Sequence, residues 1–205
     1  MSRADAKDIA RALGAGIAEQ AATAAARLAD RVEREDLAEV AYASFDSPLG
    51  TGLVAATRRG VVRVALPNEQ LDETIERLAA DVSPRILELP GRLDDARREL
   101  DQYFEGRRRR FDLELDWRLV RPGFYSRVLR ETAKLPFGVT ASYGEIADRA
   151  GNPRAYRAAG TALGHNPIPL IVPCHRVLLA GGRVGNYGGG PEMKEWLLKL
   201  EGAIG

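Results

Sequence analysis

The feature that most constrains the fold of this chain is a series of helix start and stop signals between residues 142 and 167. Ser142 and Glu145 have the spacing of a capping box, in which each side chain binds the other residue's backbone N–H. Gly151 predicts the end of the helix that they open, because glycine is common just beyond a helix C-terminus.

A second start signal follows at once. Asn152 followed by Pro153 is typical of an N-cap residue with proline at the first helical position. Pro167 disfavours helical geometry in the residue before it, so the second helix should end at Asn166. Two short helices across a tight turn predict a helix-turn-helix, with residues 153–165 as the recognition helix.

The predicted recognition helix consists mostly of residues with small side chains. Arg154 and Arg157 project from a helix whose other residues are mostly small: Ala155, Ala158, Ala159, Gly160 and Ala162. Small side chains allow a close approach, either of another helix or of a nucleic-acid groove. The pattern alone leaves both interpretations open.

The segment that follows, residues 166–177, contains the only cysteine of the chain, Cys174, with His175 beside it. Pro167, Pro169 and Pro173 stiffen this segment by fixing φ. A positioned thiol suits a nucleophile, which a neighbouring base must deprotonate because an ordinary cysteine is mostly protonated at neutral pH. A buried structural thiol is the alternative.

The last helix supplies a carboxylate. Met193, Trp196, Leu197 and Leu200 form its apolar face, and Glu201 lies on that face four residues after Leu197. The helix dipole disfavours an anion at this end. A carboxylate so placed usually has a partner, for which His175 is the candidate; a frayed helix end is the alternative.

Composition narrows the class of protein. One cysteine excludes an internal disulfide, and two histidines make a poor metal set, so we expect neither metal nor cofactor. No apolar run approaches membrane-spanning length and the first residues do not form a secretory signal, which predicts a cytoplasmic protein. From Arg121 onward there are 11 lysines and arginines against 6 acidic residues, a balance that suits nucleic acid or a solvated surface.

The N-terminal part has a different pattern. Residues 1–40 predict a helical extension that could mediate a self-contact, and residues 41–120 predict a small α/β domain. In this domain we expect a hairpin turning at Arg59-Gly60, an antiparallel sheet with helices, and a strand over 111–119. Residues 121–205 would form the mostly helical domain with the helix-turn-helix, and the whole chain a monomer.

The motifs together resemble one family. The sequence "SYGEIADRAGNPRAYRAAGTALGHNPIPLIVPCHRV", followed by "GNYGGG" and "KEWLLKLEG", resembles the O6-alkylguanine-DNA alkyltransferases over residues 124–202. "SPLGTGLVAATRRGVVRVALP" and "LDQYFEGRRRRFDLELD" are similar to the family's N-terminal domain. The resemblance implies a ribonuclease H-like α/β domain and a winged-helix-like helical domain.

It also implies a reaction. Cys174 would take the alkyl group from O6 of guanine in double-stranded DNA and keep it; the sequence leaves open whether O4-alkylthymine is also a substrate. His175 would act as a water-mediated base held by Glu201, and Asn166 would orient the loop. Arg157 would replace the flipped base in the stack, and Tyr143 would rotate the target phosphate. Further contacts would come from Asn152, Tyr156, Ala158 and Gly160 to DNA, and from Tyr187, Gly188, Gly189, Pro169 and Val177 to the substrate.

Three residues depart from the family pattern. Tyr156 replaces a small residue beside Arg157, Thr161 replaces a second glycine, and Gly188 replaces a hydroxyl residue found in some members. Two other functions remain open at this point. A non-catalytic lesion sensor would bind DNA without transfer, and a cysteine hydrolase would turn over.

Overall fold

The structure is a computed structural model of the 205-residue chain. It describes residues 37–205 throughout and, before them, only residues 16, 20, 23, 24, 27, 31, 32 and 35. The predicted N-terminal helix and its self-contact therefore lie almost entirely outside the described residues. Residues Glu39–Gly205 form one compact unit. Within the described residues, none of the helices has the length and apolarity needed to cross a bilayer.

The N-terminal half of this unit is a four-stranded sheet. Its strands are β1 (Val40–Ser47), β2 (Gly50–Thr57), β3 (Gly60–Ala65) and β4 (Ile86–Glu88), in the order β3-β2-β1-β4. β1, β2 and β3 are joined by hairpins and pair antiparallel, which confirms the predicted turn at Arg59-Gly60.

The prediction of a purely antiparallel sheet is wrong for β4, which lies parallel to β1. The cause is helix α1 (Leu71–Asp81), which connects β3 to β4. A helical crossover returns the chain to the end of the sheet where the previous strand began, so the next strand runs parallel to that strand. Leu78 of α1 packs with Val40, Leu53 and Val62 in the core of the sheet.

The prediction of a strand over residues 111–119 is also wrong. Leu115 forms a single bridge with Val61, and Trp117–Leu119 form a 3-10 turn. The buried Asp116 ends the extended segment, because its carboxylate accepts hydrogen bonds from the Arg118 N–H at 3.1 Å and the Thr57 hydroxyl at 2.6 Å. This side chain competes with the strand for the backbone and closes the turn.

Helix α2 (Asp94–Phe104) leads from the sheet toward the C-terminal half. It follows a 3-10 turn over Pro90–Leu93 and ends at Phe104, before Gly106. Tyr103 and Phe104 in its last turn are buried, and the Phe104 ring lies 6.3 Å from that of Trp196. The end of α2 thus contacts the C-terminal half.

The C-terminal half contains α3 (Phe124–Ala133), α4 (Tyr143–Arg149), α5 (Tyr156–Gly164) and α6 (Pro191–Leu200). Two short parallel strands, β5 (Ala141–Ser142) and β6 (Val177–Leu178), join the start of α4 to the segment after Cys174. The capping box is confirmed: Ser142 Oγ accepts from the Glu145 N–H, and Glu145 accepts from the Ser142 N–H. The pairing of β5 with β6 places Cys174 beside the helix-turn-helix.

The second helix of that motif begins later than predicted. α5 starts at Tyr156, and Asn152 does not cap it. Instead the Asn152 carbonyl accepts from the Ala155 N–H at 3.0 Å, so that Pro153 occupies the second position of a turn. Proline favours that turn position as strongly as a helix start, and the sequence pattern is the same for both.

Candidate active site

The loop before Cys174 is held by one side chain, Asn166, which is buried. Its amide nitrogen donates to the Val172 carbonyl at 2.8 Å and to Cys174 Sγ at 3.2 Å, and its carbonyl oxygen accepts from the Ile168 N–H at 3.1 Å. One amide thereby fixes both the path of the loop and the position of the sulfur.

The loop turns sharply at Leu170, which has a φ of 71° and is the one non-glycine residue with positive φ among those described. Its side chain is 1% exposed. A bulky residue rarely adopts this conformation, and packing must compensate for a cost of about 1–3 kcal/mol. Burial of Leu170 therefore holds the strained turn that leads to Cys174.

Cys174 itself is 7% exposed, at the start of a 3-10 turn (Cys174–Arg176). Burial raises the pKa of its thiol, and the Asn166 hydrogen bond and the nearby Lys194 ammonium oppose that rise only in part. Cys174 is therefore a protonated thiol in the free protein. A base would have to remove this proton before the sulfur could act as a nucleophile.

His175, the neighbouring residue, is fully buried. Its Nε2 lies 2.9 Å from Oε1 of Glu201, which confirms the predicted contact between these two side chains. Burial lowers the pKa of His175 below its ordinary value, and the Glu201 carboxylate opposes that shift. Neutral His175 must carry its proton on Nε2, because a carboxylate accepts, and Nδ1 keeps a free lone pair with no hydrogen-bond partner among the described protein atoms.

Glu201 is buried and accepts several hydrogen bonds. Arg176 binds it with two nitrogens, Nε to Oε2 at 2.7 Å and Nη2 to Oε1 at 2.8 Å. The Gly138 N–H donates to Oε2 at 3.1 Å, and the Tyr103 hydroxyl donates to Oε1 at 2.7 Å. Burial alone would raise the pKa of Glu201, but the hydrogen bonds from His175 and Arg176 outweigh it and hold the pKa well below the usual range.

Glu201 is thus a permanent carboxylate that ties α6 to the 3-10 turn. Gly138 approaches it so closely that an added Cβ would lie 2.9 Å from the Glu201 carbonyl oxygen. The helix end is therefore not frayed at this residue, and the alternative of a solvated Glu201 is wrong.

A pocket of about 670 Å³ opens in front of Cys174. Seven of the predicted site residues line it: Cys174, Tyr143, Tyr156, Arg157, Gly160, Tyr187 and Gly188. The Tyr187 hydroxyl is buried with no hydrogen-bond partner among the described residues. Burial raises the pKa of Tyr187 well above its ordinary value, so the hydroxyl keeps its proton. The pocket is therefore lined by a thiol and by a tyrosine whose hydroxyl has no hydrogen-bond partner among the described residues.

Three residues predicted to contact the substrate are not among the residues that line the pocket. Pro169 is buried in the loop, and Val177 is buried where it pairs with Ala141. Gly189 packs against Met193 and the Tyr187 ring, where an added Cβ would overlap Met193 Sδ. Asn152 is exposed and Ala158 half-buried, and neither lines the pocket.

Tyr156 and Arg157 stand together at the pocket mouth, both exposed. The Arg157 guanidinium lies over the Tyr156 ring, 5.1 Å from its centre. Gly160, one turn later, has Tyr143 ring atoms 3.6 Å from where a Cβ would be. The small residues of α5 therefore serve close packing on one side and leave arginine and tyrosine free on the other.

Sequence reasoning missed three residues of the site: Tyr103, Arg176 and Lys194. Lys194 is fully buried and donates to the Val177 carbonyl at 2.6 Å. Burial lowers the pKa of this lysine to about 8, although the nearby Cys174 opposes the shift. The sequence did contain a signal for this residue. Lys194 lies three residues before Leu197, which places a charged side chain on the buried face of α6.

No group of three or more His, Cys, Asp or Glu side chains within the described part of the chain is arranged to hold a metal ion.

Family models match both halves of the compact unit. Residues 123–203 match the 6-O-methylguanine DNA methyltransferase DNA-binding domain, and residues 40–117 match the ribonuclease-like domain of the same enzymes. This chain belongs to the 6-O-methylguanine DNA methyltransferase family. A methylated-DNA–protein-cysteine methyltransferase of Mycobacterium tuberculosis is 43% identical over 160 residues, covering 78% of this chain and 91% of that protein. One of Methanosarcina acetivorans is 38% identical and covers 79% of this chain and 98% of that protein.

Solved structures of the family have the same fold. The M. tuberculosis O6-methylguanine methyltransferase superposes with a TM-score of 0.66 at 40% identity, covering 79% of this chain and 92% of that one. The M. tuberculosis protein solved in complex with DNA gives a TM-score of 0.68 at 38% identity over 78% and 92% of the two chains. The family's two-part architecture is therefore present here.

Proposed function

We propose that this protein repairs DNA by moving an alkyl group from O6 of guanine in duplex DNA onto Cys174 Sγ, once per molecule. The observation that carries the proposal is the position of Cys174 in the wall of a pocket, with the His175–Glu201 pair beside it and Arg157 at the pocket mouth. Membership of the methyltransferase family supports it.

The transfer is a displacement at a saturated carbon. The Sγ–C bond forms as the C–O6 bond breaks, and the bonding electrons pass to the guanine. The thiol proton moves to Nδ1 of His175, through a water molecule, and Glu201 stabilises the imidazolium that results. The leaving guanine takes one proton from the Tyr187 hydroxyl, and the Tyr187 oxygen takes back the proton that His175 received from the thiol. The products are a thioether and neutral guanine, with His175 and Tyr187 both restored. Asn166 holds the sulfur in line.

The target atom is inside the base stack, so the nucleotide must rotate out of the duplex, which costs a few kcal/mol. In the proposal α5 lies in the minor groove, Arg157 fills the space left by the flipped base, and Tyr143 contacts the target phosphate. Asn152, Tyr156, Ala158 and Gly160 would line the protein side of that contact. A pocket of about 670 Å³ suits a guanine with a small alkyl group. A single free thiol that must stay reduced suits a cytoplasmic protein, which is the compartment we propose.

The test mixes the protein with excess duplex carrying one O6-methylguanine and follows the intact mass. We expect a gain of about 14 Da, the mass of a methyl group in exchange for a proton, on Cys174 of every molecule and no further turnover. Cys174→Ala should bind the same duplex and gain no mass. Repeated turnover would favour a hydrolase, and binding without transfer by the parent would favour a lesion sensor; either result contradicts the proposal.

A further inference from the structure

Tyr103 reaches the active site from the other half of the molecule. It lies in the last turn of α2, which follows the N-terminal sheet, and it is 1% exposed. Its hydroxyl donates to Glu201 Oε1 at 2.7 Å and its oxygen lies 3.4 Å from His175 Nε2. These atoms are separated by 98 and 72 positions in the sequence, so the fold alone brings them together.

The direction of these hydrogen bonds is fixed by chemistry. Glu201 is ionised and can only accept, so both the Tyr103 O–H and the His175 Nε2–H point at Oε1. Burial and then the charge of Glu201 raise the pKa of Tyr103 well above its ordinary value, and the hydroxyl keeps its proton throughout the working pH range. Tyr103 therefore competes with His175 for the same oxygen.

We propose that Tyr103 is a positioning residue for the alkyl transfer. By donating to Oε1 it holds the Glu201 carboxylate where that oxygen accepts from His175, which keeps Nδ1 free as the base. The same bond withdraws part of the carboxylate's negative charge from the imidazole. The inference rests on the proposed function and makes the N-terminal half part of the reaction machinery.

The groups that face His175 are few. Glu201 favours the imidazolium, whereas the Arg176 and Lys194 charges disfavour it. Cys174 precedes it, and the Tyr187 ring lies 6.3 Å from its own in an edge-on arrangement. Tyr103 is uncharged and donates directly to the Glu201 carboxylate. Removing its hydroxyl therefore changes the negative charge that His175 experiences without removing a charged group.

Tyr103→Phe should slow methyl transfer about tenfold, because the carboxylate loses one charge-assisted hydrogen bond and its orientation loosens. It should also raise the pKa of His175, since Glu201 then directs more of its charge at the imidazole. The acid limb of the rate, where His175 takes up a proton and ceases to act as a base, should move to higher pH by roughly half a unit to one unit.

Two readouts separate positioning from general stability. Single-turnover transfer from O6-methylguanine duplex is measured from pH 5 to 8, and the imidazole ¹⁵N shifts are followed in the free protein. The chain has two histidines, and His165 is exposed, so His165→Asn assigns the remaining signal to His175. In the parent that signal should show the Nε2-protonated tautomer.

The matched control is Tyr42→Phe, which removes a hydroxyl from a partly buried tyrosine packed on the core of the sheet. It should change neither the rate nor the acid limb. Replacing Tyr103 by 3-fluorotyrosine keeps the ring and makes the hydroxyl a better donor, so it should move the acid limb to lower pH. This second variant provides the test if Tyr103→Phe does not fold.

The inference is overturned if Tyr103→Phe folds, transfers at the parent's rate and leaves the acid limb and the His175 shifts in place. It is equally overturned if fluorotyrosine moves the limb in the same direction as phenylalanine. A parent protein that transfers no methyl group refutes the proposed function instead, and the ¹⁵N comparison still decides whether Tyr103 governs His175.

Discussion

The buried ion pair between Arg176 and Glu201 should add far less to the free energy of unfolding than is lost when one of its two partners is removed. Two hydrogen bonds of 2.7 and 2.8 Å join the side chains, which are 7% and 0% exposed. Removing one partner of such a pair leaves a charge without water or counter-charge, at a cost of about 3–5 kcal/mol. Arg176→Met and Glu201→Gln should each lower the free energy of unfolding by about this amount.

The double variant is the informative one. Arg176→Met with Glu201→Gln leaves no buried charge uncompensated at this position, so its cost should fall short of the sum of the single costs by at least ~2 kcal/mol. Urea unfolding of all four proteins at pH 7 gives the values, provided that the dependence on urea is unchanged.

The control cycle uses an exposed pair on the same helix. Lys199 and Glu195 lie 2.8 Å apart with side chains 53% and 51% exposed. Removing either should cost no more than about 0.5 kcal/mol, and the two changes should add. If the costs at Arg176 and Glu201 also add within about 0.5 kcal/mol, the two side chains are not coupled and this account of the site's electrostatics fails.

Three further outcomes are expected. Asn166→Ala should lower the free energy of unfolding by ~2–3 kcal/mol in urea and raise the pKa of Cys174 further, measured by thiol alkylation against pH, because the thiolate loses its donor. The parent's transfer rate should be nearly constant from pH 8 down to about 6.5 and fall only below it, because the pKa of His175 is lowered from 6.5 and that of Cys174 raised from 9.0; a tenfold fall per pH unit throughout would indicate a free thiolate instead. Tyr156→Ala should weaken duplex binding about two- to fivefold in a titration, because the ring that Arg157 stacks on is lost, and Tyr156→Phe should not.

The sequence predicted what is encoded locally. The capping box of α4, the proline-stiffened loop and the Glu201 position each depend on residues within a few positions of one another. The His175–Glu201 contact spans 26 positions and was still predicted, because a carboxylate on an apolar helix face needs a partner and the chain offers few. The chemistry of a buried carboxylate thus identified the partner of Glu201, although the two residues are far apart in the sequence.

What the sequence did not reveal depends on long-range packing. Tyr103 has the pattern of an ordinary core aromatic, and nothing near it indicates a contact 98 residues away. The parallel pairing of β4 follows from where α1 crosses, which hydrophobic periodicity does not encode. The late start of α5 at Tyr156 depends on whether Pro153 opens a turn or a helix, and the residue types fit both.

A protonated Cys174 suits a protein whose thiol can react only once. An exposed thiolate would react with any small electrophile or oxidant, and each such event would waste a whole molecule. Burial raises the pKa of Cys174 and leaves 7% of the residue exposed, so the free protein is protected. In the proposed reaction, deprotonation depends on His175, which donates to Glu201 through Nε2. Under the proposed mechanism neutral His175 can accept a proton already in the free protein, so the position of a substrate in the pocket would decide when the sulfur reacts.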